Sequence, residues 1–474
     1  MTTLGLMPHQ HEGVAFLLEK RAGLLAFEQG LGKTLVAIAA FIDARAAGSA
    51  RRLLIICPNS LKRNWVAELH KFAPDLDVEI IEGTRATRRR QIAAAHASVV
   101  ITSYETARSE VTAILALLKR VPTAMVLDES HATKNGRSLT STAASHFAPL
   151  ATHRWLLSGT PVTNSPGDLY TQIGIIAPGE KPLGSFEAFL SDSNHPPSAE
   201  KLKAKLSRFI LRRTKDQCLN LPEKTFVDIR IELPPWQRAL YDEMRHSMVC
   251  TIQAMSGEEY RAFAHTALTQ LMRLSQIASN PSLVVPECGK TPAKFEELNY
   301  LVRDILGETG RKVIIWSSYV RTIEQLALRF KDEGAVTLYG GTPNELRQDI
   351  ARRFQTDPAV RVLIANPAAA GTGFTFTAAT YAIYESLSWR YDFYAQSQDR
   401  NHRIGQELPV TYLRMIAADT VEEAIVSALE RKSSMARSLL GDETGTPGVS
   451  QLTRDEMCAL LLRNELPDAR PTES

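Results

Sequence analysis

The sequence predicts an α/β chain with two doubly wound parallel-sheet domains and a mostly helical segment between them. Three observations carry that expectation. Short apolar runs alternate with helix-period stretches over the first ~165 residues, the alternation stops near Pro178, and it restarts at RKVIIWSS (311–318). Apolar runs of this length suit strands buried on both faces of a parallel sheet, and strand–helix alternation builds such a sheet. At 474 residues the chain is also too long for one ordinary core.

In chain order, RLLIICP (52–58), SVVITSY (98–104), TAMVLDES (123–130) and HRWLLSGT (153–160) read as buried strands of the first domain, residues 1–177. Helical patterns fall between them, among them KTLVAIAAFIDARAA from Lys33 and SLKRNWVAELHKF from Ser60. Residues 178–292 read as mostly helical, polar and basic, broken at Pro196-Pro197 and Pro234-Pro235. The second α/β domain, 293–440, has strand candidates RKVIIWSS, AVTLYGG, RVLIANP, YAIYESLS and VTYLRMIA, separated by patterns such as TIEQLALRF and VEEAIVSALERK. Residues 441–474 read as a linker, GDETGTPGVS, and a short amphipathic helix with Thr453 and Glu456 spaced as a capping box.

Five scattered cysteines, never in a C-x-x-C pair, argue for reduced thiols in a cytosolic-type compartment, without a disulfide framework or zinc site. The N-terminus lacks a signal pattern and no apolar run reaches ~18 residues, so no membrane partner is expected. A net charge of +3 is too small to announce a polyanionic partner; basic residues must be gathered locally. They gather at RATRRR (85–90) and KLKAKLSRFILRRTK (201–215), where the plain alternative is a solvated helix face.

Chemistry is carried first by FEQGLGKTLVA (27–37). Its glycines turn backbone N–H groups toward phosphate oxygens, and a helix N-terminus follows. Lys33 would reach the β/γ-phosphates of ATP and Thr34 would hold Mg²⁺. The strict phosphate-loop pattern wants glycine where Phe27 stands, so an ordinary glycine turn stays open for this stretch alone. MVLDESH (125–131) decides against it by placing Asp128 and Glu129 after an apolar strand, at the sheet edge where ligands sit. Asp128 suits Mg²⁺ and Glu129 suits polarising the attacking water. Phosphoryl transfer also needs a cation opposite the γ-phosphate. SQDRNHRIGQ (397–406) supplies Arg400 and Arg403, read as lying on a helix after a second-domain strand and reaching across a cleft.

The order of these motifs resembles the Swi/Snf-like DNA-translocase family of helicase superfamily two, over about residues 4–440. LMPHQHEGVAFLL is similar to the family's adenine-reading segment, with Gln10 at the glutamine position; GLGKT, which spans Gly30, Leu31, Gly32, Lys33 and Thr34, to its phosphate loop; and DESH, ending in His131, to its DEAH-type box. LLSGTPVTN resembles its coupling motif at Ser158, Gly159 and Thr160. FILRRTKDQCLNLPEK, QLMRLSQIASNPSL and QSQDRNHRIGQ (starting at Gln396, also given a coupling role) are equally close. Departures exist: Ala26-Phe27-Glu28-Gln29 stands where Ala-Asp-Glu-Met is usual, AAAGTGFTFT (368–377) puts Thr375 in place of Asn and Phe374 and Phe376 in place of aliphatics, and Arg-Tyr follows Trp389 instead of Asn-Pro.

The resemblance implies two RecA-like domains, an ATP- and Mg²⁺-dependent ATPase, and movement on double-stranded DNA with low sequence specificity and without strand separation. It implies ATP contacts at Gln10, the phosphate loop, Gly373, Arg400 and Arg403. Strand contacts fall by position on Pro58, Asn59, Ser60, Lys62, Thr102, Ser103, Gly371, Thr372 and Gly373, and on Arg212, Arg213 and Lys215 of a segment that braces against the duplex. Phosphate contacts of this kind position without reading sequence. The five tryptophans are expected to pack rather than stack on bases. The expected setting is a monomer in the cytoplasm of a prokaryotic or phage-infected cell, with replication or repair proteins as further partners. An RNA-dependent or DNA-unwinding helicase of the same superfamily and a non-hydrolysing nucleic-acid scaffold are the alternatives.

Overall fold

The computed structural model describes residues 5–194, 196–254, 269–370 and 373–440. The expected C-terminal linker and helix, and Gly371 and Thr372, lie outside them. The chain folds as two compact units: one runs to Leu221 and takes in the chain again from Lys432, the other runs from Pro222 to Arg431.

The first unit holds a seven-stranded sheet. Its strands are β1 (Ala22–Phe27), β2 (Arg52–Cys57), β3 (Val78–Ile80), β4 (Val99–Ser103), β5 (Thr123–Asp128), β6 (His153–Leu157) and β7 (Ile210–Arg213), in the order β3-β4-β2-β5-β6-β1-β7. Every pairing is parallel. β2, β4 and β5 are buried along their whole length, as continuous apolar runs covered by helices on both faces require. The register pairs Leu25 with Leu157 and Asp128 with Leu157. The C-terminal ends of β1, β5 and β6 therefore finish together at one sheet edge, and the three motifs that follow them start there. Trp65 and Trp155 are buried in the core between sheet and helices, with Phe27, Phe41 and Val126.

The second unit holds a six-stranded parallel sheet of β8 (Lys224–Ile231), β9 (Lys312–Trp316), β10 (Ala335–Leu338), β11 (Val362–Ala365), β12 (Ala379–Tyr384) and β13 (Val410–Ala417), in the order β10-β11-β9-β12-β13-β8. Trp316 is fully buried and Trp389 packs at the core's margin. Phe376, standing where an aliphatic was expected, is fully buried against Trp316, Phe354 and Phe374. One buried charge is structural: Lys294 Nζ donates to the carbonyls of Glu385 (2.6 Å) and Met415 (2.9 Å) and pairs with Glu422 at 2.7 Å. A buried ammonium held this way has its donors satisfied, the condition for tolerating charge in a core.

Residues 178–292, read as mostly helical, also contribute two strands. β7 adds to the first sheet beside β1, and β8 adds to the second beside β13.

Candidate nucleotide and nucleic-acid sites

β1 runs into the turn Glu28–Gly32. Gly30 (φ 89°) and Gly32 (φ 79°) are left-handed, a conformation glycine adopts without a steric penalty. A Cβ on Gly32 would also lie 2.3 Å from Gln10 Nε2. The helix Lys33–Ala46 begins at once, so its first N–H groups have no intrahelical partner and its dipole favours an anion. Thr34 sits half-buried on the first turn. Lys33 is buried, and its Nζ donates to the Phe27 carbonyl at 2.9 Å. Leu31 is fully buried, and its carbonyl accepts from Gln10 Nε2 at 3.2 Å and lies 3.1 Å from His9 Nε2. Met7 N donates to Gln10 Oε1 at 2.9 Å. Gln10 therefore fixes the back of the loop as well as standing where the sequence placed an adenine reader.

β5 ends in Asp128, and Glu129 turns the chain in a left-handed conformation (φ 49°). This is an uncommon backbone for a residue other than glycine, of the kind that clusters at functional sites. Trp65 Nε1 donates to Asp128 Oδ2 at 2.8 Å, Glu129 N to Oδ1 at 2.9 Å, and Tyr104 Oη to the Asp128 carbonyl at 2.8 Å. Burial and the neighbouring Glu129 carboxylate push the Asp128 carboxyl up to about 6, against the pull of the Trp65 bond and Lys33. Gln29 Nε2 donates to Glu129 Oε1 at 3.4 Å, and His131 Nδ1 lies 3.3 Å from Oε2.

After β6, Ser158 is fully buried, with its Oγ 3.4 Å from His131 Nδ1 and accepting from Thr160 N at 3.2 Å. A Cβ on Gly159 would meet Gln29 Cγ at 2.9 Å and Lys33 Nζ at 3.5 Å. The 158–160 segment thus packs directly on the glycine turn, and a side chain at 159 would occupy the space beside Lys33. Lys33, Asp128, Glu129, His131, Ser158, Gly159 and Thr160 are one constellation, although up to ~130 residues separate them.

This cradle fits ATP and Mg²⁺. The helix N-terminus and Lys33 offer positive charge to phosphate, and Thr34 and Asp128 offer the hard oxygen donors Mg²⁺ takes. Among the described residues there is no group of three or more His, Cys, Asp or Glu that could hold a metal ion.

In the second unit the helix Tyr391–Gln398 ends before the two arginines. Arg400 and Arg403 therefore lie in the turn after that helix, a correction to their reading as helical. Arg400 acts as a cap: its Nε donates to the Gln396 carbonyl at 2.9 Å, one of the orphan carbonyls of a helix end. Nη1 of Arg400 and Nη1 of Arg403 both donate to the Phe374 carbonyl at 3.2 Å, next to the left-handed Gly373 (φ 84°). Arg400 is buried, so the pair is not a solvated face. Gln396 is buried as well.

The nucleic-acid candidates fare unevenly. Pro58, Asn59 and Ser60 form the turn after β2, with Asn59 and Ser60 exposed. Lys62 is buried and paired with Glu82 at 3.2 Å. Thr102 and Ser103 are buried, and Ser103 Oγ accepts from Thr106 N at 3.2 Å as a helix cap; neither hydroxyl presents itself to a strand in this conformation. Arg212 pairs with Glu28 at 3.0 Å, Lys215 is buried with its N–H on Glu28 at 2.9 Å, and Arg213 Nε binds Glu12 at 3.0 Å. Arg212 and Lys215 tie the basic segment to the loop after β1, and Arg213 ties it to the helix Pro8–Lys20. The sequence reading did not name Trp65, Tyr104 or Gln29 as supports of the two acidic residues. No local pattern signals them: Trp65 is 63 residues from Asp128.

The SNF2-related domain model matches residues 9–283, and the helicase conserved C-terminal domain model matches residues 293–405. The chain belongs to the SNF2 family. It is 29% identical over 466 residues to an uncharacterized ATP-dependent helicase of Mycoplasma pneumoniae, covering 96% of this chain and 44% of the relative. It is 29% identical over 481 residues to a putative ATP-dependent helicase/translocase of Bacillus subtilis, YwqA, covering 96% and 51%. The chain spans about half the length of these curated relatives. Among solved structures, the Sulfolobus solfataricus SWI2/SNF2 ATPase core in complex with dsDNA is 28% identical, with 93% of each chain covered and a TM-score of 0.43. No helix among the described residues of this SNF2-family chain is long and apolar enough to cross a membrane.

Proposed function

We propose that this SNF2-family chain hydrolyses ATP and uses the energy to move along duplex DNA without separating its strands. The observation that carries the chemistry is the convergence around Lys33: the coupling-motif Gly159 is packed against it, and Gln29, three residues before Gly32, bonds the carboxylate of Glu129 at 3.4 Å.

In this reading the Gly30–Thr34 N–H groups and the helix dipole bind the phosphates of ATP. Lys33 exchanges the Phe27 carbonyl for phosphate oxygens and neutralises their charge. Glu129, oriented by Gln29 and His131, accepts the proton of the attacking water. Thr34 and Asp128 are the residues that would hold Mg²⁺, which would screen the phosphate charge when bound. Arg400 and Arg403 are assigned to the charge that develops on the γ-phosphoryl. His131, through Ser158 Oγ, ties the base to the 158–160 segment, so a change at the γ-phosphate moves that segment. The relative of Bacillus subtilis carries "helicase/translocase" in its name, which supports a motor over a static scaffold.

The test is ATP hydrolysis measured side by side with no nucleic acid, single-stranded DNA, duplex DNA, forked DNA and RNA. Strong stimulation by duplex is expected. Stimulation by RNA alone would favour the helicase alternative, and no turnover in any arm would favour the scaffold.

A further inference from the structure

The basic run RATRRR is not absorbed by the site above. Thr84 Oγ1 accepts from Thr87 N and starts the helix Arg85–Ala94. Arg85, Arg88 and Arg89 lie three and four residues apart, on one face. All three converge on the carboxylate of Glu110, at 3.8, 3.2 and 3.0 Å. Glu110 has a fully buried side chain, while those of Arg85 and Arg89 stay 68% and 58% exposed. Burial pushes the Glu110 carboxyl up, but bonds from Arg89 and Arg88 outweigh this and hold it below its usual range. Next to this cluster, Glu82 takes Lys62 at 3.2 Å and Arg63 at 2.6 Å, and Gln91 of the arginine helix accepts from Glu82 N at 3.0 Å. Arg90 is exposed and has no acidic partner among the described residues.

Two carboxylates thus hold five cations. One buried carboxylate needs one arginine; three gathered on it repel one another, and like charges at this spacing are destabilising. An incoming polyanion removes that repulsion. A guanidinium has five N–H donors and matches phosphate bidentately. The helix starts just beyond the C-terminal end of β3, and Glu82 joins it to Lys62, next to the exposed Asn59–Ser60 turn after β2. That turn is one of the strand contacts expected from the sequence, and it is exposed.

We propose that the Arg85 and Arg89 face, with Arg90 on its flank and Arg63 beside it, is a second phosphate-contacting surface for duplex DNA. It extends the footprint of the Asn59–Ser60 turn outward, with Glu110 and Glu82 holding the guanidiniums in place. The inference rests on the duplex reading of the preceding section.

The variant Arg85→Gln/Arg89→Gln/Arg90→Gln removes the charges and keeps an N–H donor for Glu110. Arg88, the inner partner of Glu110, stays. Affinity for a short fluorescent duplex is measured by anisotropy across 50–200 mM salt, beside thermal unfolding and DNA-free ATP hydrolysis. The expected result is binding weakened about tenfold at the lowest salt and a log K–log salt slope shallower by about 0.9 for each lost phosphate contact. Melting and DNA-free hydrolysis should match the parent. A second variant, Arg63→Gln alone, should shift the slope in the same direction by a smaller step. A folded triple variant with the parent's affinity and slope overturns the proposal. So does loss of binding to poly-glutamate with duplex binding unchanged, which would mark the face as a docking site for acidic protein. A parent that does not bind duplex at all refutes the function reading instead.

Discussion

Glu129→Gln and Lys33→Ala should both stop hydrolysis, and for separable reasons. The carboxamide of Glu129→Gln has the shape of the carboxylate and still offers an oxygen to Gln29 Nε2, now 3.4 Å away. Folding stability should therefore change by less than about 1 kcal/mol. What is lost is proton acceptance, and a positioned general base is worth about 10²–10⁴ in rate, or about 3–5 kcal/mol of barrier. ATP binding should be intact. Lys33→Ala differs twice. It strips positive charge from the phosphate cradle, so nucleotide affinity falls. It also leaves the Phe27 carbonyl without its 2.9 Å donor, at a cost of about 1–3 kcal/mol in the nucleotide-free protein. Single-turnover hydrolysis, nucleotide-binding fluorescence and denaturant unfolding separate the two. If Glu129→Gln turned over ATP at the parent rate, Glu129 would not be the base and the role given to Asp128-Glu129 would be wrong.

Three other outcomes are expected. Arg403→Ala should spare ATP binding and lower turnover at least tenfold, while Arg400→Ala should lose stability too, because Arg400 is buried and caps the Gln396 carbonyl; full turnover in Arg403→Ala would refute its assignment. Trp65→Phe removes the 2.8 Å bond to Asp128 in a buried position and should cost about 3 kcal/mol, from a bond to a charged group plus lost ring volume; a change below ~1 kcal/mol by urea unfolding would show that the bond is not made. Burial, aided by Arg21 and Arg154, pulls the His153 imidazole down to about 4. The unfolded chain takes up that proton near pH 6.5, so stability is complete above pH 6.5 and falls as pH drops toward 4, by up to about 3 kcal/mol. His153→Gln should flatten that slope, and an unchanged slope would assign the acid sensitivity elsewhere.

Most of both sheets was legible because their strands are continuous apolar runs. RLLIICP, SVVITSY, TAMVLDES and HRWLLSGT became β2, β4, β5 and β6, and the five runs named in the second domain became β9 to β13. β8 was not legible. It is an edge strand, mostly exposed, with Lys224, Asp228 and Arg230 along it, and an edge strand needs no continuous apolar face. β7 was hidden for a related reason: ILRR carries two arginines whose partners, Glu28 and Glu12, lie nearly 200 residues earlier. The glycine turn and the helix after it, which make up the candidate nucleotide site, were legible because they form a local pattern. The supports of that site were not, since Trp65, Tyr104 and Gln29 reach their partners only through sheet order. The buried Lys62, Thr102 and Ser103 show the converse: a residue type suited to phosphate contact does not reveal its exposure.

The central claim is movement on duplex DNA without strand separation, and triplex displacement tests it most directly. A third strand is bound on a duplex ahead of the motor, and its release is followed with ATP, without ATP, and with Glu129→Gln; a plain fork serves as the parallel substrate. The account predicts ATP-dependent release of the third strand by the parent protein, none by Glu129→Gln, and a fork that stays paired. Efficient unwinding of the fork with no release of the third strand would contradict it.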